Sequence, residues 1–293
     1  MPLSIINRDP AYPPASLMTP TQLGYILIAA EVHPRRFPLQ QLLPEPRDRA
    51  ELFAALRESM RPLEQLDGVE RVTLFDATVI PPARARIGAN PTDGDGRARF
   101  DVAVLIETDT VERAREIQDT PEYATLVQTI DGRAKRMQTI VARNAKRIDD
   151  VDTTRPGVFL FNYFSAPDQQ VMLQLWDYLA GWYEAETGLD NSILLVPAEG
   201  EPSPYAAINN ARWDTSLAHF IWDQFATKSF WTYVRRNLEA NDVTAFPILY
   251  RLAPEESGGA IPSRAIGIGA MAAGAALAWW GWHRFNESRP RAA

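Results

Sequence analysis

"ETDTVERAREIQDTPEYATLV", residues 107–127, begins with the end of an apolar strand and continues into a helix. The helix breaks at Asp119-Thr120-Pro121, after which the pattern is helical again. Asp and Thr can cap the free N–H groups of a first helical turn, and Pro is tolerated within that turn. The stretch therefore predicts a strand followed by two short helices.

A second stretch has the same layout. "RWDTSLAHFIWDQFATKSFWTYV", residues 212–234, also passes from a strand through Asp-Thr into a helix with a later aromatic helical segment. Asp109-Thr110 corresponds in this comparison to Asp214-Thr215, and both pairs are suited to N-capping. Because self-similarity at this scale indicates a repeated unit, the sequence predicts two copies of one fold.

The similarity extends upstream and downstream of these stretches. Apolar strands are predicted at 22–32 and 157–166, and each is followed by a helix with one apolar face. These faces are formed by Phe53, Leu56, Met60 and Leu63 in the first helix and by Met172, Leu175, Leu179 and Trp182 in the second. With the later strands included, the order β-α-β-β-α-β occurs twice, which is typical of a ferredoxin-like unit.

The pattern "YAAINNARWDTSLAHF…SFWTYV…FPILYRLA" in the second copy resembles the antibiotic biosynthesis monooxygenase (ABM) type of dimeric α+β barrel family. "TPEYATL" at 120–126 also resembles that family, and the resemblance spans residues 21–254. It implies an α+β fold in which two tandem ferredoxin-like (βαββαβ) units pack sheet on sheet and form the barrel within one chain.

The C-terminal region predicts a single transmembrane helix. "AIGIGAMAAGAALAWWGW", residues 265–282, contains no charged side chain in 18 residues, about the minimum that crosses a bilayer. Trp279, Trp280 and Trp282 cluster at one end, as indoles do at a membrane interface. The alternative is an alanine-rich helix buried in an oligomer. The predicted domains are a proline-rich arm (1–20), repeat 1 (21–150), an ABM-like repeat 2 (157–254), a linker (255–264), the transmembrane helix (265–282) and a short basic tail (283–293).

The predicted localisation is a membrane, through a single-pass C-terminal anchor at Ala265–Trp282, with the body in the cytoplasm. The opening residues lack the apolar run of a signal peptide, which favours a cytoplasmic body. Arg284, Arg289 and Arg291 follow the span and favour a cytoplasmic C-terminus, so the orientation stays open.

Composition excludes several classes of function. The net charge of −7 argues against a general nucleic-acid surface. The absence of cysteine excludes disulfides, thiolate metal sites and cysteine nucleophiles. The three histidines, His33, His219 and His283, do not occur at metal-ligand spacing, so no metal site is predicted.

The resemblance implies two kinds of activity. Some family members are small oxygenases that act on polyketide quinols without a metal or flavin, and others degrade haem with an Asn, a Trp and an iron-ligating His. Asn162 and Trp222 match the first two and are the predicted catalytic residues. The expected His is missing from "SFWTYVRR", so no cofactor is predicted, and haem would lack its ligand.

Aromatic side chains are concentrated in repeat 2 and predict an apolar pocket for a flat aromatic ligand. The predicted substrate-binding residues are Trp213, Arg212, Asn210 and Tyr163, with Asn209 as a further candidate for orienting the ligand. No general base is evident. The predicted function is a membrane-anchored, cofactor-independent monooxygenase acting on a hydrophobic, quinol-like substrate.

The alternative is a non-catalytic binding or assembly module that self-associates or serves as a subunit of a membrane complex. An open pocket lined by Asn162, Trp213 and Trp222 would favour the enzyme. A barrel filled by those rings would favour the module.

Overall fold

The computed structural model describes residues 2–33, 47–80, 87–88 and 98–254. Its first half comprises β1 (Gly24–Glu31), α1 (Arg47–Leu63), β2 (Val69–Val79), β3 (Ile87–Gly88), β4 (Val102–Thr108), α2 (Val111–Gln118), α3 (Pro121–Asp131) and β5 (Arg136–Arg147). Its second half comprises β6 (Val158–Ser165), α4 (Gln169–Thr187), β7 (Ser192–Pro197), β8 (Ala207–Trp213), α5 (Leu217–Ala226), a π-helix (Phe230–Val234), α6 (Arg235–Ala240) and β9 (Thr244–Leu252).

The long strands form a closed eight-stranded barrel. Their order is β2-β4-β1-β5-β7-β8-β6-β9, and β9 pairs in turn with β2 to close the ring. Each half contributes its long strands in the order second, third, first, fourth. At the closing seam, antiparallel β2 and β9 pair Asp76 with Arg251. The predicted α+β class and the barrel are confirmed.

Local signals place most helix ends where the sequence predicts them. Thr110 caps α2 and Thr120 caps α3, and each hydroxyl accepts a hydrogen bond from the backbone N–H three residues later. Gly188 ends α4 in the left-handed conformation that a side chain would strain. Helix α5 differs from the prediction, because its N-cap is Ser216 and the Asp214-Thr215 pair precedes the cap.

The barrel interior is filled by aromatic rings. Seven of them make edge-to-face or tilted contacts with centroids between 5.0 Å and 6.5 Å apart: Phe75, Phe100, Phe159, Phe161, Tyr163, Tyr205 and Tyr250. All seven side chains are buried. The helices cover the outer face, with α1 to α3 over the first half and α4 to α6 over the second. Both faces of the sheet are therefore buried.

The N-terminal arm lies on the second half of the barrel. Leu3, Ile5 and Tyr12 pack against the core under α4 to α6, and Met18 forms an isolated bridge with Arg147 of β5. Within the described residues, no helix has both the length and the apolar character needed to cross a membrane. The predicted span at 265–282 lies outside the described residues, as do the linker 255–264 and the tail 283–293.

Candidate functional site

A cavity lies between the second half of the sheet and its helices. Strands β6, β8 and β9 form its floor, while α4, α5, the π-helix and α6 form its roof. Its lining is mostly apolar: Leu160, Phe164, Trp176, Leu179, Ala180, Leu189, Trp213, Phe230, Val234, Leu238, Ala245 and Pro247. Polar groups come from Asn162 and Asn209 on the floor and from Tyr183 and Gln224 on the roof.

The two floor asparagines are cross-strand neighbours in different environments. Asn209 Oδ1 accepts hydrogen bonds from Trp176 Nε1 at 2.9 Å and from Ser192 Oγ at 2.7 Å. Asn162 is paired with Asn209 in the ladder and is 7% exposed, yet its Oδ1 has no hydrogen-bond partner among the described residues. A buried, unpaired acceptor is costly, so Asn162, which lines the cavity, has an unused hydrogen-bond acceptor.

Besides the bond from Trp176 to Asn209, one polar contact joins two roof helices and another joins the roof to the floor. Gln224 Nε2 of α5 donates to the Tyr183 hydroxyl of α4 at 3.0 Å. Trp213 Nε1 of the floor donates to Thr187 Oγ1 at the end of α4 at 3.1 Å. Burial raises the pKa of the Tyr183 hydroxyl above its usual value, although the bond from Gln224 lowers it, so this phenol keeps its proton at neutral pH.

The cavity has little room and little charge. Its volume is about 30 Å³, which holds about one or two water molecules, whereas ligand pockets occupy about 300–1,000 Å³. Among the described residues, no Asp, Glu, Lys, Arg or His lines it. The lining therefore suits an uncharged aromatic group that accepts or donates a few hydrogen bonds, and the roof must move to admit one.

Three predicted binding residues lie on the opposite face of the same strands. Tyr163 and Asn210 point into the barrel, where the Tyr163 hydroxyl lies 3.5 Å from that of Tyr250. Asn210 is 1% exposed, and neither of its amide atoms has a partner among the described residues. Arg212 is buried beside the Phe159 ring and donates to the Asp214 carboxylate and to the Pro156 carbonyl. None of the three lines the cavity.

The predicted catalytic pair is separated in the structure. Trp222 lies on the outer face of α5 and is 52% exposed, while Phe220 and Gln224 of the same helix are buried. Asn162 and Trp213 both line the cavity, so two of the three residues expected around one pocket lie together. Neither Trp213 nor Trp222 is among the seven rings that fill the barrel.

The donor atoms around the cavity do not suit haem iron. His219 is exposed on α5 and lies 3.2 Å from the Asp223 carboxylate of the same helix. No histidine lines the cavity within the part of the chain that the structure describes. A haem group would also need space that the closed cavity lacks, so no step through haem follows from these residues.

Two lining residues were not predicted as site residues. Gln224 occupies a buried position one turn after Phe220, and a polar side chain on the apolar face of a helix is a signal visible in the sequence. Tyr183 stood out in the sequence only as one of many aromatic residues, because its contact with Gln224 joins two separate helices.

No protein-family model and no curated protein sequence matches this chain. The crystal structure of an anthrone oxidase-like protein matches with a TM-score of 0.52 and 12% identity, covering 83% of this chain and 96% of that chain. A candidate monooxygenase from Fusobacterium nucleatum subsp. nucleatum has a TM-score of 0.47 and 8% identity, with 83% and 98% covered. A mutant chlorite dismutase from Candidatus Nitrospira defluvii has a TM-score of 0.44 and 8% identity, with 81% and 94% covered. The first of these similarities shows that the chain has the fold of the α+β barrel proteins.

Proposed function

We propose that this protein is a cofactor-independent monooxygenase that binds a flat, uncharged aromatic substrate between the second half of the sheet and its helices. The observation that carries the proposal is Asn162, which lines a mostly apolar cavity and whose buried Oδ1 has no partner among the described residues. In the proposed complex this oxygen accepts a hydrogen bond from the hydroxyl that a keto substrate such as an anthrone has in its enol form, and the Trp213 indole packs against the substrate ring.

An anthrone is the probe that fits this proposal. Its CH₂ group is flanked by two aryl rings in conjugation with a carbonyl, so the substrate itself supplies an acidic proton and an electron-rich anion. One O₂ oxidises this CH₂ to a carbonyl, with one oxygen atom entering the product and the other leaving as water. This chemistry needs no strong base from the lining, in which Tyr183 stays protonated. The anthrone oxidase-like structural neighbour motivates the choice of probe.

The test is oxidation of 9-anthrone by the purified protein, followed with an oxygen electrode and by the absorbance of the quinone product. We expect equal consumption of O₂ and anthrone, and a loss of at least about tenfold in kcat/KM for Asn162→Leu. Gln174→Leu on the exposed face of α4 is the matched control and keeps full activity. Unchanged turnover in Asn162→Leu would contradict the proposed role of this amide.

A second candidate, the non-catalytic binding or assembly module, is favoured by the small volume of the cavity and by the absence of a lining base among the described residues. The same preparation separates the two functions. Binding of 9-anthrone without O₂ consumption supports the module, whereas turnover supports the enzyme. Sedimentation of the same sample at several protein concentrations tests whether the protein self-associates.

We further propose that the two halves are tandem copies of one unit and that residues 265–282 anchor the protein in a membrane, with the barrel in the cytoplasm. The apolar segment without charges and its terminal tryptophans support the anchor. Fractionation with a carbonate wash tests it. The full chain is expected in the membrane fraction and a chain truncated after Glu256 in the soluble fraction. Soluble full-length protein without detergent would favour the oligomer-packing helix.

A further inference from the structure

The N-terminal arm is bound to the roof of the cavity through its backbone. Ser4 N–H donates to Asn241 Oδ1 at 2.8 Å, and Asn241 Nδ2 donates back to the Ser4 carbonyl at 2.7 Å. Ile6 N–H donates to Asn237 Oδ1 at 2.8 Å, and Asn237 Nδ2 donates back to the Ile6 carbonyl at 3.1 Å. Each asparagine thus satisfies both backbone groups of one arm residue.

The two asparagine side chains are spaced to bind an extended backbone. Asn237 and Asn241 are one helical turn apart, about 5–6 Å, and alternate residues of an extended chain are about 6.5 Å apart, so the two spacings match. An asparagine amide carries both donors and an acceptor, like the backbone of a neighbouring strand. Both asparagines are buried, and each also donates to a backbone carbonyl of its own helical turn, Tyr233 or Asn237. Their side chains are therefore held in position for the arm.

Further along, the arm crosses the other roof elements. The Tyr12 ring makes a tilted contact with the Tyr233 ring of the π-helix, with centroids 5.2 Å apart, and its hydroxyl donates to the Glu186 carboxylate of α4. Ala15 N–H donates to the Asp177 carbonyl of α4 at 2.8 Å. At Gly181 of α4, a Cβ atom would overlap the carbonyl oxygen of Pro13. The arm, which bends at Asn7 and turns at residues 9–12, thus bridges α4, the π-helix and α6.

The roof is the part of the cavity wall that can move. The cavity floor consists of barrel strands paired on both sides, whereas the π-helix and α6 belong to one short helical stretch, residues 228–240. A helix of about this length is marginally stable by itself and is held mainly by tertiary packing. Val234 and Leu238 line the cavity from one face of this segment, and the arm binds its other face. Release of the arm therefore removes contacts from the elements that close the cavity.

We propose that the groove of Asn237 and Asn241 is a binding site for an extended peptide, that the chain's own N-terminal arm occupies it in cis, and that release of the arm opens the cavity. The gating step rests on the proposed ligand function, while the peptide site stands on the contacts alone. The arm is then a strap that sets how often the roof opens.

The double variant Ser4→Pro/Ile6→Pro in the full chain removes the two donor N–H groups, and Ser4→Ala/Ile6→Ala, which keeps them, is the matched control. The readout is amide hydrogen exchange. We expect exchange in residues 230–240 to rise by about tenfold or more in the proline variant, because two hydrogen bonds are lost, while exchange in β4 of the first half stays unchanged. Unchanged exchange in residues 230–240 would overturn the proposal that the arm restrains the roof.

A peptide in trans provides the second arm of the test. A synthetic peptide of residues 2–15, added to the proline variant, is expected to restore protection of 230–240. The same peptide N-methylated at Ser4 and Ile6 keeps every side chain and is expected to fail. Equal rescue by both peptides would overturn backbone recognition. If the proline variant does not fold, Tyr12→Phe serves instead, with a smaller rise in exchange because only the bond to Glu186 is lost.

Gating is measured by stopped-flow mixing with 9-anthrone. The association rate is expected to rise in step with the exchange rate in the proline variant and to return with the unmodified peptide. A rise in exchange with no change in association rate would overturn the gating. If no variant binds anthrone at all, the proposed function fails, and hydrogen exchange and peptide rescue still decide whether the peptide site exists.

Discussion

The two halves of the barrel have the same strand order, yet they treat buried polar groups under their helices differently. In the first half, Arg49 of α1 lies 2.5 Å from the Asp76 carboxylate and 2.6 Å from that of Asp101, and all three side chains are buried. Arg251 across the barrel seam also binds Asp76 at 2.7 Å. These charges tie α1, two strands and the seam together.

In the second half, the polar side chains on the cavity floor are two amides, and one amide oxygen, that of Asn162, has no partner in the described part of the chain. This half also contains the cavity, the π-helix and the strapped arm. Matched charges connect the elements of the first half, whereas the cavity floor of the second half is neutral and incompletely hydrogen-bonded. In the proposed function, the first half stabilises the scaffold and the second half binds the substrate.

Arg49→Met is expected to give the largest effect. It keeps the approximate length of the side chain but removes the buried cation. The Asp101 carboxylate then has no ion-pair partner from α1, and Asp76 keeps only Arg251. The expected cost is about 3–5 kcal/mol in the free energy of unfolding. Arg61→Met breaks an exposed pair with Glu58 on the same helix and should cost less than about 1 kcal/mol. Urea denaturation measures both, and similar losses would contradict the stabilising role of the buried charges in the first half.

Asn209→Leu and Asn162→Leu test the floor of the second half. The first substitution leaves the buried Trp176 indole N–H without its acceptor and is expected to cost about 1–3 kcal/mol. The second removes an acceptor that has no partner, so stability should stay unchanged or rise. Thermal unfolding of the two variants is the measurement. A comparable loss in Asn162→Leu would mean that this amide is a structural element.

Gly181→Ala tests the close contact between the arm and α4, because the contact decides whether the substitution lowers or raises stability. Within a helix this substitution normally raises stability by about 1 kcal/mol. Here the new Cβ overlaps the Pro13 carbonyl, and overpacking of this kind costs about 1–3 kcal/mol, so a net loss of about 1 kcal/mol is expected. A gain in the unfolding midpoint in urea would show that the arm does not press on α4.

Glu107 of β4 provides the smallest expected effect, and it probes a carboxyl in the first half. Burial raises the pKa of Glu107 above its usual value, the Arg71 guanidinium opposes this, and the Asp150 and Glu70 carboxylates add to it. Because the folded pKa is the higher one, its contribution to stability is fully present below the ordinary glutamate pKa and is lost as pH rises through the folded value. Glu107→Gln should therefore gain stability relative to the wild type at neutral pH, and that gain should disappear at acidic pH. If the difference in unfolding free energy between the variant and the wild type does not change with pH, the raised pKa is contradicted.

Much of the fold follows from local sequence signals. The three- and four-residue spacing of Phe53, Leu56, Met60 and Leu63 predicted the buried face of α1, and all four are buried. The Thr-Pro break at residues 120 and 121 predicted the start of α3, because capping and proline preferences act within one helical turn. Ser216 was missed as the cap of α5, since three successive residues there can each cap a helix.

The site was less predictable because its residues come from separate elements. Asn162 was predicted from the ABM resemblance and Trp213 from the aromatic residues of repeat 2, and both line the cavity. Trp222 was expected to lie beside them, but the rotation of α5 directs it outward while Gln224 points inward. That rotation depends on how Phe220 packs under the helix, against the Trp213 ring at 4.5 Å.

The sequence by itself determined the α+β class and the positions of most strands and helices, because periodicity, caps and turns are local properties. Tertiary structure alone decided which asparagines face the cavity. Asn209 and Asn210 are adjacent on β8, so alternation sends one to the cavity and the other into the barrel. In a sheet with one solvated face, polar residues would mark the outside. Here helices cover one face and aromatic rings fill the other, so the hydrophobic pattern carries no information about direction, and only the closure of the barrel sets it.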